Sequence, residues 1–483
     1  MTSDEQTPLQ DNNSANDVVG QDGSDRVDIS DAIEGAGCGY GTFLYQIGTI
    51  LFCCLEGAEI LILTVVGPVL RCEWNLSPLQ LSMLQSSTMV AMMVAAAISS
   101  PLGDSIGRKP LALTAAIGTT IVGVLSAFVR TYWQFITMRI IIGAFIGIGA
   151  VPALVWSGET MPKILRATAF CQVSLAWGVG SSIGAGIAYF VLDPYGWRGL
   201  LLTVPLVFSP SVIVMAVISE SPRYDYFQGY YTKAQNTIEN LYRLNNKGKI
   251  KIKLKKLETV SPNETVSESR LTAGRVLDEL RATDNILNTL LLLMLTFSTC
   301  FTYYLYAYST PRILNEGYCT GEVVARNQSC VFRKHVLFDL GVVKLSEPLG
   351  VLITLFLLET RCGRRKTFIG ISLLILLLTI PLYFCVSESF LFWFVVVVGM
   401  VVASIALSYT ILACEYMPTP IRAFMLASVS VISRLSGSLA IFCTEYIVNE
   451  GPRAAFVVIQ GVTIVSFVTL LALKRETRDQ NLL

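Results

Sequence analysis

Long runs of apolar residues, each about 20 positions in length, recur along the chain between short polar segments. At a rise of about 1.5 Å per residue, one such run crosses a hydrocarbon layer about 30 Å thick as a helix. The pattern predicts an all-α membrane protein with both chain ends on the same side of the bilayer. The twelve predicted spans cover residues 43–70, 79–101, 110–130, 133–156, 167–192, 200–218, 285–308, 336–358, 367–386, 390–413, 424–447 and 454–473.

Polar segments divide these spans into two groups of six. Residues 1–42 are acidic and contain little apolar surface to bury, so we predict a disordered cytosolic tail. Residues 219–284 connect the two groups, and the spacing of apolar residues from Tyr231 to Leu244 predicts a short helix within this connection. The predicted domains are therefore the tail 1–42, an N-terminal half 43–218, the connection 219–284, a C-terminal half 285–473 with a loop at 309–335, and a second tail 474–483.

Lysine and arginine are more frequent in loops on the side of the chain ends than in the loops opposite. Because cytosolic loops carry such an excess, we predict that both termini are cytosolic, in a plasma or intracellular vesicle membrane. The loop 309–335 then faces the exterior or a lumen, where Asn327 is a glycosylation candidate. Cys319 and Cys330 are disulfide candidates, although Cys72 lies on the same side and leaves the pairing open.

The composition excludes several functional classes. The chain is 53% hydrophobic and 15% charged, with a net charge of +1, so we expect a lipid bilayer and no nucleic acid as partner. Its twelve cysteines lack the spacing of a zinc site, and there is one histidine. We therefore predict no metal, no cofactor and no enzymatic activity, and we expect a monomer.

Two acids interrupt the first span near its middle. Glu56 lies roughly 20 Å from the start of this span, close to the centre of the bilayer. Glu59 follows three positions later on the same helix. Ionisable groups at this depth are costly and normally face the interior of a bundle or a water-filled path. The pair predicts a site for a proton or a cation, and the alternative is that either acid only stabilises a buried basic residue.

Other charged residues are predicted at a similar depth. Glu347 in span 8 and Arg434 in span 11 each lie roughly 15 Å from one end of their helix. Lys344 is one turn from Glu347 and is placed to pair with it. Arg139, in span 4, lies nearer to the outer end and is a weaker candidate.

Span 7 is rich in tyrosine. Tyr303 and Tyr304 offer ring faces for stacking or for a cation–π contact with an organic solute. For Tyr306 and Tyr308, an aromatic belt at the outer membrane interface is almost as good an interpretation.

Short motifs repeat between the two groups of spans. Gly107-Arg108-Lys109 recurs as Gly363-Arg364-Arg365, and the segment from Glu159 to Arg166 recurs from Glu415 to Arg422. Each pair is separated by 256 positions, as are Glu220 and Glu476. A constant offset predicts two six-helix repeats related by an axis along the membrane normal, an arrangement found in many secondary transporters.

The loop from Gly103 to Lys109 resembles the signature of the major facilitator superfamily. Glu220-Ser-Pro-Arg223 is similar to its sugar-porter and organic-ion-porter branch. Glu56, Glu59, Glu347 and Arg434 resemble the synaptic-vesicle-two-related proteins within that branch. The resemblance implies a cavity between the halves on which spans 1, 8 and 11 converge.

The repeated loop charges have two interpretations. They form ion pairs between the halves that latch one state of a transport cycle, or they only set the orientation in the membrane. The latch candidates are Asp104, Gly107, Arg108, Glu159, Arg166, Glu220, Arg223, Gly363, Arg364, Glu415 and Arg422.

These observations favour a secondary transporter that moves a small charged or zwitterionic organic solute by alternating access, coupled to a proton or another cation. The alternative is a membrane receptor or vesicle structural protein that keeps the scaffold but transports nothing. The sequence leaves the identity of the solute and of the coupling ion open.

Overall fold

The computed structural model describes residues 27–162, 166–247, 251–255, 283–316, 334–358, 363–384, 388–406, 408–416, 419–449 and 451–473. These residues are almost entirely helical. The helices are α1 (Ile29–Ala36), α2 (Tyr40–Glu73), α3 (Pro78–Ile106), α4 (Arg108–Ser126), α5 (Tyr132–Glu159), α6 (Arg166–Phe208), α7 (Pro210–Val217), α8 (Pro222–Phe227), α9 (Tyr231–Leu244), α10 (Thr283–Glu316), α11 (Lys334–Leu358), α12 (Arg364–Thr379), α13 (Glu388–Ile405), α14 (Ser408–Tyr416), α15 (Thr419–Asn449) and α16 (Pro452–Ala472).

Ten of the described segments are long and apolar enough to cross a membrane. One of them, Gln172–Phe227, bends at Gly196, where φ is 65°, and holds two passes. The shorter apolar helix Ser389–Ile405 supplies a further pass. The described residues thus contain the twelve predicted passes, and the tenth is divided between α13 and α14.

Local sequence fixes where several helices begin. Ser77 accepts a hydrogen bond from the Gln80 amide, and the Gln80 side chain accepts one from the Ser77 amide, which forms a capping box in front of α3. Gly107 separates α3 from α4 with a φ of 112°, a conformation that favours glycine. The sharp turn brings Arg108 and Lys109 to the first turn of α4.

Two lateral seams join the halves. Helix α15 of the C-terminal half packs along α3 of the N-terminal half, and α11 packs along α6. We call the end of the bundle at which α2 begins the proximal end, and the end at which α2 finishes, at Glu73, the distal end.

The prediction of a disordered tail over residues 1–42 is wrong for the part of the tail that the structure describes. Asp28 accepts a hydrogen bond from the Ser30 amide and starts α1. Ile29 and Ile33 are buried in an apolar cluster that also contains Ile238 of α9. The high negative charge of the segment hid this pattern, because its apolar residues share one face of the helix while its acids are exposed.

Asn245, which follows α9, connects α1 and α2 to the central connection. Its Oδ1 atom accepts hydrogen bonds from the amides of Gly41, at 2.9 Å, and Thr42, at 3.3 Å. Its Nδ2 atom donates to the carbonyl groups of Ala36, at 3.0 Å, and Gly37, at 3.2 Å. One side chain therefore caps the start of α2 and the end of α1.

Candidate functional site

A cavity of about 170 Å³ lies between the two halves. Glu56 and Trp177 line it from the N-terminal half, and Tyr303, Glu347 and Arg434 line it from the C-terminal half. Most ligand pockets measure about 300–1,000 Å³, so this one suits a small solute. Its other described lining residues are Val173, Ser174, Gly178, Cys300, Tyr304, Val351, Ala403, Ala406, Tyr409 and Ser433.

Close packing of α2 against α6 places Glu56 and Trp177 in the same wall. Gly180 of α6 lies against the backbone of Cys54 and leaves no room for a side chain. The next residue, Ser181, donates from its hydroxyl to the carbonyl of Gly57, about one turn beyond Cys54 on α2, at 3.1 Å. Close backbone approach through small residues is the usual way in which membrane helices pack.

The first charged pair in the cavity joins the two halves. Glu56 of α2 is 5% exposed, and its Oε1 atom lies 2.6 Å from Nη2 of Arg434 in α15. The sequence predicted both residues as candidates but did not predict that they pair.

The second charged pair belongs to α11 alone. Lys344 donates from Nζ to Oε1 of Glu347 at 2.6 Å, as the one-turn spacing suggested. The Tyr303 hydroxyl donates to Oε2 of the same carboxylate at 2.9 Å. The Tyr303 ring in turn packs edge-on against Trp177, with 5.3 Å between ring centroids. Lys344 is buried behind Glu347 and is not among the described lining residues.

A proline anchors this part of α11 to the other half. Pro348 has no amide hydrogen, so the carbonyl of Lys344 loses its partner within the helix. The hydroxyl of Ser182 in α6 donates to that carbonyl at 2.8 Å. This bond fixes the height of Glu347 relative to Trp177.

Glu59 and Arg139, by contrast, lie inside the N-terminal half. Arg139 donates from Nη1 to Oε2 of Glu59 at 2.8 Å and from Nη2 to the Ser126 hydroxyl at 3.0 Å. Neither residue is among the described lining residues of the cavity. The structure therefore separates Glu59 from Glu56, which the spacing had placed in a shared site.

The remaining tyrosines of span 7 are buried inside the bundle and do not face outward, as the residues of an aromatic belt would. Tyr304 lines the cavity, whereas Tyr306 and Tyr308 are buried in the core. The Tyr306 hydroxyl donates to the Val395 carbonyl at 2.7 Å. An aromatic belt is therefore the wrong interpretation for these two residues.

Among the described latch candidates, Arg108 pairs with two acids of its own half. Arg108 lies 3.0 Å from Asp104 and 3.3 Å from Glu159. Glu220 accepts from the Lys109 amide at 3.1 Å. Gly107 and Gly363 precede α4 and α12 with positive φ, while Arg364 and Arg223 lie in the first turns of α12 and α8. The side chains of Arg166, Glu415 and Arg422 lie outside the described residues.

The candidates of the 309–335 loop also lie outside the described residues, namely Cys319, Cys330 and Asn327. Cys72, at the distal end of α2, is disulfide-bonded. The disulfide roles of Cys319 and Cys330, whose pairing the sequence left open, and the glycan at Asn327 stay predictions.

Sequence reasoning missed one charged cluster. Glu445 of α15 contacts Arg71 of α2 and Arg312 of α10 at the distal end. The signal was present, because Glu445 is an acid within an apolar run. It lies near the end of that run, however, where a charge is less costly than at the centre.

Two helical halves with a cavity of paired charges between them define the class of a membrane carrier. The chain belongs to the Sugar (and other) transporter family, whose model matches residues 39–482. It is a multi-pass membrane protein with the fold of the major facilitator superfamily, as the loop motifs predicted.

Similar proteins agree with this assignment. The synaptic vesicle 2-related protein of Pongo abelii is 27% identical over 467 residues, which cover 94% of this chain and 82% of that protein. The organic cation/carnitine transporter 7 of Arabidopsis thaliana is 25% identical and covers 95% of this chain and 97% of its own. The xylose transporter XylE from E. coli, in a partially occluded inward-open conformation, superposes with a TM-score of 0.68 at 14% identity, covering 91% of this chain and 99% of its own.

Proposed function

We propose that this protein is a secondary transporter that moves a small charged or zwitterionic organic solute across a membrane by alternating access, coupled to a proton or another cation. The observation that carries the proposal is the Glu56–Arg434 ion pair inside the cavity. Because its two partners belong to different halves, movement of one half against the other must rearrange it. Solute binding at this pair would thus be linked to the conformational change.

The charge balance of the cavity favours a zwitterion. Among the described residues, Glu56 is balanced by Arg434, and Glu347 is balanced by Lys344. A solute with a net charge would enter this poorly solvated site without compensation, which costs free energy. A zwitterion instead offers an ammonium group to Glu56 and a carboxylate to Arg434, and its cationic end gains cation–π contact with the Trp177 ring.

The names of two similar proteins support parts of this proposal. The Arabidopsis relative is called an organic cation/carnitine transporter, which favours an organic solute with a positive charge. A solved relative in fold is described as a proton:xylose symporter, which favours proton coupling. In our proposal the coupling proton and the ammonium group of the solute bind Glu56 in alternate steps of the cycle, so Glu56 is ionised when the zwitterion binds.

We place both termini in the cytosol, because of the distribution of lysine and arginine. The names of the synaptic vesicle 2-related proteins favour a vesicle membrane over the plasma membrane. The proximal charges around Arg108 act in this proposal as one side of a cytosolic latch, and the repeated charges of the C-terminal half supply the other side.

Flux into proteoliposomes tests the proposal. The purified full chain is reconstituted with an imposed pH gradient and offered labelled solutes of four classes: a betaine-type zwitterion, a quaternary organic cation, a nicotinate-like anion and xylose. We expect the zwitterion to accumulate when the pH gradient is imposed. In the Glu56→Gln variant we expect uptake to lose its dependence on pH. Glu73→Gln is the matched control, since this acid of α2 pairs with Arg198 away from the cavity.

Two outcomes would contradict the proposal. Uptake with an unchanged rate and pH profile in Glu56→Gln would remove the coupling role of Glu56. Saturable binding of a solute without accumulation of any class would favour the receptor or structural alternative.

A further inference from the structure

The cluster at the distal end joins three helices from both halves. The Glu445 carboxylate of α15 lies 2.8 Å from Nη1 of Arg312 in α10 and 3.4 Å from Nη1 of Arg71 in α2. Glu445 is 1% exposed, so its charge depends on protein partners and little on water. Arg71 belongs to the N-terminal half, whereas Arg312 and Glu445 belong to the C-terminal half.

The two arginines differ in what happens when the halves separate. The Arg312–Glu445 pair lies within one half and persists when that half moves as a unit. The Arg71–Glu445 pair joins the two halves and must break if they separate at the distal end. A buried carboxylate that loses its sole partner is strongly destabilised, and the second arginine limits that cost.

The cluster lies on the same two helices as the ion pair of the cavity. Arg71 follows Glu56 on α2 by roughly 22 Å, and Glu445 follows Arg434 on α15 by roughly 16 Å. The Glu56–Arg434 and Arg71–Glu445 contacts both join α2 to α15. They therefore respond to the same movement of α2 against α15.

We propose that Glu445 holds the distal end of the transport path closed by binding Arg71 across the halves, and that Arg312 keeps the Glu445 carboxylate in place when the distal end opens. The proposal rests on the transport function above, because it assigns these residues to one step of the alternating-access cycle. Breaking the Arg71 contact shifts the population toward a conformation in which the cavity is open at the distal end.

Cys300 is a natural reporter of this opening. Its thiol is free, lines the cavity and is 4% exposed. A membrane-impermeant maleimide is added to sealed vesicles of each orientation, and labelling of the Cys300 peptide is followed by mass spectrometry. We expect Glu445→Gln and Arg71→Gln to raise the rate of labelling from the distal face at least about fivefold, the lower range of a typical coupling between sites.

Glu73→Gln is the matched control, because it removes an acid at the same end whose described ion pair, with Arg198, stays within one half. Arg71→Gln leaves the Arg312–Glu445 pair intact, so it keeps the test valid if Glu445→Gln fails to fold. Unchanged labelling in Arg71→Gln would overturn the proposal, and so would an equal increase in Glu73→Gln.

The flux assay on the same vesicles separates this proposal from the transport function. Faster labelling of the variants without accumulation of any solute would support the role of Glu445 at the distal end and contradict the proposed transport function. Accumulation of a solute by the unmodified protein, together with unchanged labelling in both variants, would support the transport function and contradict the role of Glu445 at the distal end.

Discussion

Glu56 and Glu59 lie three residues apart on α2, yet their carboxylates bind arginines in different halves of the protein. Glu56 meets Arg434 at 2.6 Å across the cavity, and Glu59 meets Arg139 at 2.8 Å inside the N-terminal half. The first pair must rearrange when the halves move, and the second does not need to. We therefore expect replacement of Glu56 to change solute selectivity and replacement of Glu59 to change mainly stability.

Removing one charge of the cavity pair should change which solutes bind. In Arg434→Gln, the charge of Glu56 loses its partner, so we expect tighter binding of a quaternary cation and weaker binding of a zwitterion. Removal of one buried partner typically costs about 3–5 kcal/mol, and Arg434 is 15% exposed. The lower end of this range corresponds to at least about a 100-fold change in the ratio of the two affinities, since about 1.4 kcal/mol corresponds to tenfold. Competition binding in detergent at fixed pH measures this ratio.

Glu56→Gln is the complementary variant and should shift the preference toward an anion. A uniform loss of all ligands in both variants would contradict the proposed contacts and indicate a purely structural pair.

The Glu59–Arg139 pair should mainly affect stability. Glu59→Gln leaves the Arg139 guanidinium buried without its counter-charge, at a cost of about 3–5 kcal/mol, and the melting temperature should fall clearly. Replacement of both partners, as in Glu59→Leu with Arg139→Met, should restore much of the loss, because buried ion pairs are often replaceable by apolar groups. Thermal unfolding of the purified protein measures both effects.

The pH profile of the remaining uptake provides the control for this prediction. We expect it to keep the shape of the unmodified protein. A flattened profile in Glu59→Gln would assign the coupling proton to Glu59 instead of Glu56.

The sequence predicted the spans well but predicted only part of the site. A run of about 20 apolar residues has few alternatives to a membrane helix, and an acid at its centre stands out. Glu56, Glu347 and Arg434 were identified in this way, and all three line the cavity. The spacing also predicted that Lys344 pairs with Glu347, because the two lie one turn apart on one helix. The contact between Glu56 and Arg434 depends on the rotation and packing of separate helices, which no local pattern in a single sequence encodes.

The same limit explains what was missed. Arg71 and Arg312 lie at the ends of spans, where they were counted as loop cations. Trp177 and Cys300 line the cavity, but aromatic and sulfur side chains in an apolar run look like ordinary core residues. Only the packing of α2, α6 and α10 around the cavity distinguishes them.

The Tyr303 hydroxyl should contribute to solute binding through Glu347. Tyr303→Phe removes one hydrogen bond to the carboxylate, worth about 1.5–3 kcal/mol when one partner is charged. The Tyr303 ring should then lose its fixed position against Trp177, and we expect KM to rise by about tenfold together with a fall in the melting temperature. Uptake kinetics in proteoliposomes measure the effect.

Tyr306→Phe is the matched control on the same helix. Its hydroxyl donates to the Val395 carbonyl in the core, so its loss should lower stability and leave KM unchanged. Equal effects of the two variants on KM would contradict a specific role for Tyr303.

The Asn245 side chain should hold α1 and α9, at the proximal end, to the start of α2. Asn245→Ala removes four hydrogen bonds to the backbone at the junction of α1 and α2. Loss of a single capping side chain costs about 0.5–2 kcal/mol, and we expect the upper end of this range because two helix ends are affected. Limited proteolysis should then cleave faster between Ala36 and Tyr40, where the chain passes from α1 to α2.

Asn236→Ala is the control for this last prediction, because Asn236 lies on the exposed face of α9, the helix that Asn245 follows. It should leave both the melting temperature and the rate of cleavage unchanged, since alanine is at least as good a helix former as asparagine. If the junction is cleaved in Asn245→Ala at the same rate as in the unmodified protein, the burial of Ile29 and Ile33 alone holds α1 in place. A faster cut in Asn245→Ala alone would show that the polar clamp is required in addition to the apolar contact.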